Sequence, residues 1–146
     1  MAGFHKLLLA IDLSPASETL IKRVIQMYPD DLDKVHVLHV IKPLTQMDAL
    51  DEAPACFDPE TQREVNFTRT RLLHLLHESG LGCATDKFYL VHGEPSFQIK
   101  RLAQEIQADL VIVGSHSKAD DWMHLPGATT NCVIQGISTD VMAVKV

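Results

Sequence analysis

Cysteine is scarce. Only Cys56, Cys83 and Cys132 occur, an odd number with no C-x-x-C pair. This pattern fits a reducing compartment better than a disulfide framework. Positive charge is also short, 13 Lys and Arg against 19 Asp and Glu, for a formal net charge of −6. A nonspecific grip on nucleic acid or on an anionic membrane is therefore not expected. No apolar run is long enough to span a bilayer, and Met1 to Lys6 leads straight into an apolar strand without a cleavage-site pattern. A cytoplasmic location is the expectation by elimination. Signatures of catalysis are missing as well. There is no Ser-His-Asp order, no pair of catalytic carboxylates and no Walker P-loop lysine motif. No convincing general base is present either, so no enzyme is read from these residues.

What is present is a regular alternation. The 146 residues, 46% hydrophobic and 22% charged, suit a single globular domain, residues 1–146, with a real core. Lys6 to Ile11 is a nearly continuous apolar run, as in strands covered on both faces. Asp12, Leu13, Ser14 and Pro15 follow, with Ser14 as an expected N-cap and Pro15 as the first helical residue. Leu20, Ile21, Val24, Ile25 and Tyr28 then form one helical stripe. Val35 to Ile41 is a second β-rich run, and Lys42 to Phe57 reads as a long surface connection. Asp58-Pro59 repeats the cap-plus-proline signal and opens a helix of about twenty residues, ended by Gly80 and Gly82. Phe88 to Val91, a helix from Pro95, Leu110 to Val113, a helix from near Gly127, and Val141 to Val146 complete the order. Alternating strands and helices predict an α/β, doubly wound parallel sheet with helices on both faces. Periodicity does not give the strand order.

Open α/β sheets bind ligands beyond the carboxyl ends of their strands. Two strand ends are unusual here. One is Ala10-Ile11-Asp12-Leu13-Ser14. The other is Val113-Gly114-Ser115-His116-Ser117, followed after nine intervening residues by Gly127-Ala128-Thr129-Thr130.

These features resemble the universal stress protein family, whose pattern after the fourth strand is G-x-x-G, nine residues, then G-S or G-T. The match continues in Leu9 to Ser14, His39-Val40-Ile41, Gly93-Glu94-Pro95 and Ala108 to Gly114, over the whole chain. The resemblance implies a five-stranded sheet of order 3-2-1-4-5, with strands one and four adjacent. It also implies a homodimer, commonly formed through the last strand, residues 141–146. Its ligand would be ATP or AMP with Mg²⁺ or Mn²⁺, held in a stress-response module that acts through dimer and partner contacts. Asp12 would bond the ribose or adenine side, and Val40 would offer backbone groups to the adenine edge. Gly114 would let the backbone approach the phosphates, and Gly127 would present amides at a helix start. Ser115, His116, Ser117, Ala128 and Thr129 complete the expected phosphate loop.

Two departures weaken that match. Ser117 replaces a glycine, a strain of about 1–2 kcal/mol if the site is left-handed. Ala128 removes a hydroxyl whose bond to a charged group is worth about 1.5–3 kcal/mol. Binding weakened but not abolished is the expectation. The family also has a branch that keeps the fold without ATP, and a dimeric stress or interaction protein of that branch is the alternative. A nucleotidyl hydrolase or transferase is the third reading.

Other residues have plainer explanations. Asp12 could cap its own turn. His74 and His77 suit a solvated helix face, since no third metal ligand stands at suitable spacing. His36 and His39 fall on opposite faces of a strand. Trp122 would seal the spacer loop, and Cys83 and Cys132 read as core.

Overall fold

The structure is a computed structural model and describes residues 4–12, 14–41, 59–81, 87–115 and 136–146. The long connection 42–57, the helix expected from Gly127, Trp122 and all three cysteines lie outside the described residues.

Five strands form one sheet: β1 (Leu7–Ile11), β2 (Val35–Ile41), β3 (Phe88–His92), β4 (Leu110–Ser115) and β5 (Asp140–Lys145). Their order is β3-β2-β1-β4-β5, and every neighbouring pair is parallel. Three α-helices are described: α1 (Pro15–Met27), α2 (Pro59–Ser79) and α3 (Pro95–Glu105). A 3₁₀ turn, Leu32–Lys34, leads into β2.

β1 is apolar throughout because it is the central strand, covered above and below. Leu7, Leu8 and Leu9 are all 0% exposed. Alternation along β1 divides them. Leu7, Leu9 and Ile11 pack with Leu20, Ile21 and Val24 of α1 and with Leu72 and Leu76 of α2. Leu8 packs on the other face with Ile99, Leu102 and Ala103 of α3. Helices on both faces follow from this split, as expected for parallel sheets.

Local signals explain the boundaries. Pro15, Pro59 and Pro95 each stand at a helix start, where a missing N–H costs nothing. α2 ends in a Schellman arrangement, with Leu81 N bonded to Leu76 O and Gly80 N to His77 O. Gly80 takes φ +95° there, a conformation that favours glycine. α3 ends with the same bond pattern, Ala108 N to Ala103 O and Gln107 N to Gln104 O. Gln107 occupies its left-handed position at φ 56°. No glycine marked that end in the sequence.

β4 is longer than the apolar run predicts. It continues through Gly114 and Ser115 because β5 pairs along it, up to Ser115 with Lys145.

Candidate functional site

Strands β1 and β4 lie side by side, yet their connections leave in opposite directions along the sheet, β1 toward β2 and β4 toward β5. This is the switch point where doubly wound sheets open a crevice. The register shows where the two strands stop pairing. β1 pairs with β4 only from Leu7–Leu110 to Leu9–Ile112, whereas β1 pairs with β2 up to Ile11–His39. β4 pairs with β5 as far as Ser115–Lys145. The last residues of β1 and β4 therefore part from each other while each stays attached to its outer neighbour.

Asp12 stands at this switch point, exposed, directly after β1. Its Oδ1 accepts from Ser14 N at 2.8 Å, from the Ser14 hydroxyl, and from Ser17 Oγ at 2.7 Å. The Asp12 N–H donates to Ser17 Oγ at 2.8 Å. Bonds to a carboxylate are stronger than bonds between neutral groups. That preference corrects one expectation. Ser14 occupies the N-cap position of α1, but its side chain makes no cap bond. Its hydroxyl turns to Asp12 instead. The self-capping role of Asp12 is thus present in the geometry.

The other expected residues distribute unevenly. Val40 is half-buried on β2, packed on the α3 face. Gly114 is on β4 with backbone outside the left-handed region. A Cβ added there would meet Val146 at 3.4 Å and Leu20 of α1 at 3.6 Å. Ser115 closes β4, half-buried. Asp12, Val40, Gly114 and Ser115 thus share the carboxyl edge of three neighbouring strands. His116, Ser117, Gly127, Ala128 and Thr129 lie outside the described residues.

The roles of two residues of this edge escaped the sequence reading. Ser17 is 3% exposed and sits on the buried stripe of α1 with Leu20, Ile21 and Val24. A hydroxyl on an otherwise apolar stripe signals a buried partner. His39 is 7% exposed, and its Nδ1 is 2.9 Å from the Ile11 carbonyl. It takes the place of an apolar residue in the alternation Val35, Val37, His39. His36 lies on the opposite face, with Nδ1 3.1 Å from the Tyr89 hydroxyl and the rings stacked at 5.8 Å. The two histidines form no joint site, as the strand period requires.

A second acidic turn follows β3. Glu94 caps α3, its Oε2 accepting from Phe97 N at 2.8 Å and from the Ser96 hydroxyl. Partial burial pushes its carboxyl up, but the Ser96 hydroxyl, the Phe97 and Ser96 amides and the Lys100 charge hold it below the ordinary value of 4.5. Elsewhere, His74 and His77 are exposed on α2, with His74 3.0 Å from Glu78. No three-residue metal cluster occurs among the described residues. No described helix is long and apolar enough to cross a membrane.

The universal stress protein family model matches residues 3–145. The chain belongs to the universal stress protein family. Universal stress protein A homolog 2 of Coxiella burnetii, strain RSA 493 / Nine Mile phase I, is 26% identical over 147 residues, spanning 100% of this chain and 98% of the relative. Solved universal stress proteins share the fold. UspA of Lactobacillus plantarum has a TM-score of 0.67 at 16% identity, with 98% of this chain and 99% of that one covered. A universal stress protein solved in complex with cAMP has a TM-score of 0.64 at 21% identity, covering 98% of each chain. The Asp12 and Glu94 turns belong to a universal stress protein sheet, one at its centre and one at its edge.

Proposed function

We propose that this universal stress protein binds an adenine nucleotide, ATP or AMP with Mg²⁺ or Mn²⁺, at the carboxyl ends of β1 and β4. The observation carrying this reading is the early end of the β1–β4 ladder, with Asp12 at the parting strands. The residues there suit such a ligand chemically. A carboxylate accepts hydrogen bonds from ribose hydroxyls or an adenine amino group. Strand-end backbone near Val40 offers groups to a base edge. Phosphates belong with Gly114, Ser115, His116 and Ser117 and with the amides of Gly127, Ala128 and Thr129. The bound cation would screen the phosphates from the chain's net negative charge. That a universal stress protein of the same fold was solved with cAMP supports the nucleotide class.

The output is a change in dimer or partner contacts, in the cytoplasm. β5 has β4 as its one sheet neighbour among the described residues. An edge strand of this kind can pair with a second copy, which supports a homodimer through residues 141–146. One observation favours the alternative, a stress or interaction protein that takes no nucleotide. Asp12 Oδ1 already serves three donors of its own turn.

Calorimetric titration with ATP and with AMP, each with Mg²⁺, separates the two. Saturable binding that Asp12→Ala weakens upholds the nucleotide reading. In addition, Ala128→Ser should tighten ATP by supplying a hydroxyl to a charged oxygen. Absence of heat with both nucleotides, and of any nucleotide in the purified protein, leaves the interaction protein.

A further inference from the structure

We infer that His39 is a positioning residue of the switch-point crevice: with Ser17 it clamps the peptide group joining Ile11 to Asp12. The two ends of that one peptide are held by side chains from different elements. Its carbonyl, on Ile11, lies 2.9 Å from His39 Nδ1 of β2. Its N–H, on Asp12, donates to Ser17 Oγ of α1 at 2.8 Å. In a trans peptide the carbonyl and the N–H point in opposite directions, so His39 and Ser17 grip the plane from its two sides.

The position of the clamp gives it meaning. Ile11 lies two residues beyond Leu9, the last residue of β1 in register with β4. Backbone groups leaving a ladder within a buried region need other partners. Both clamping side chains are buried, at 7% for His39 and 3% for Ser17. The carbonyl is an acceptor, so His39 Nδ1 carries the proton in this contact. Ser17 Oγ also donates to Asp12 Oδ1 at 2.7 Å. The clamp thereby fixes the peptide and the carboxylate that follows it. A group held in its working orientation before the ligand arrives binds with less ordering cost.

The consequence for affinity rests on the nucleotide reading, but the clamp itself can be read without any ligand. The test uses the full chain, ¹⁵N-labelled, as wild type, His39→Leu, His39→Asn and His39→Gln. An Asn amide presents its N–H near the position of Nδ1, whereas Gln presents it farther out, where Nε2 sits. Ring ¹⁵N shifts of the wild type should show a proton on Nδ1. Exchange of the Asp12 amide should quicken about tenfold in His39→Leu, the scale of one net hydrogen bond, and return toward wild type in His39→Asn. ATP binding, with ATP as the probe, should weaken about tenfold in His39→Leu and recover in His39→Asn. A proton on Nε2 with Nδ1 bare overturns the clamp, as does unchanged Asp12 exchange in His39→Leu. Equal behaviour of the Asn and Leu chains also overturns it, because filling space alone would then be the role. If the leucine chain does not fold, Asn against Gln decides: matching exchange rates in the two refute the assignment. If the wild type takes up no ATP, the nucleotide reading falls, while the ring protonation and amide exchange still judge the clamp.

Discussion

Two strand-to-helix turns of this protein use the same chemistry in different places. After β1, Asp12 accepts from the Ser14 and Ser17 hydroxyls and an amide. After β3, Glu94 accepts from the Ser96 hydroxyl and the Phe97 amide. Each has a proline opening the helix. Yet β3 is an edge strand, while β1 is central and parts from β4 at its carboxyl end. A carboxylate at a sheet edge stabilises a helix start. The same group beside a parting pair of strands stands at the switch point as well. Residue chemistry thus sets what a turn can hold, and its place in the sheet sets what it can meet.

The sharpest way to break this comparison is at Gly93. It takes φ +139°, and a Cβ there would sit 2.7 Å from Gln98 Nε2. Gly93→Val should destabilise the fold by about 3 kcal/mol, from backbone strain and the clash. A urea midpoint close to wild type would show that the β3 turn tolerates another geometry. Next in size is Ser17→Ala, which removes an acceptor for Asp12 N and a donor to its carboxylate. A loss of about 2 kcal/mol is expected in denaturant titration. A much smaller loss would mean that water replaces the hydroxyl.

Glu94→Ala should cost about 1 kcal/mol, the worth of an N-cap, without altering ATP titration. Its pH dependence has a definite sign. The folded carboxyl titrates below its ordinary 4.5, so its contribution is complete above that value and is lost as pH falls through the folded one. The stability gap between wild type and Glu94→Gln should therefore narrow on acidification below about pH 4.5. A gap that is flat down to pH 3 would mean the carboxylate charge contributes nothing. Gly114→Ala should have the smallest effect, within about 0.5 kcal/mol, since its Cβ would make ordinary contacts with Val146 and Leu20. A large loss of stability there would reveal a demand for glycine that the backbone does not display.

Much of the architecture could be read from residue order. Val35 to Ile41 carries its strand in composition alone, and Pro15, Pro59 and Pro95 mark helix starts because each lacks an N–H. The left-handed cap that closes α3 was not legible, since Gln107 carries no preference for the turn it makes. Asp12 was visible as a candidate because an acid directly after a buried strand is unusual. The roles of Ser17 and His39 were not. Ser17 reaches Asp12 across a helix start, and His39 reaches Ile11 across 28 residues of chain.

The sequence by itself determined the alternation of strands and helices, the split of apolar residues between two faces, and the family motifs. These are local matters of period, capping and turn chemistry. Only the tertiary structure decided that β1 and β4 separate past Leu9 and Ile112, and that the Ile11–Asp12 peptide is held between β2 and α1. Strand register and long-range hydrogen bonds depend on which elements become neighbours. No stretch of sequence carries that information alone, because the partner of each group lies on another element.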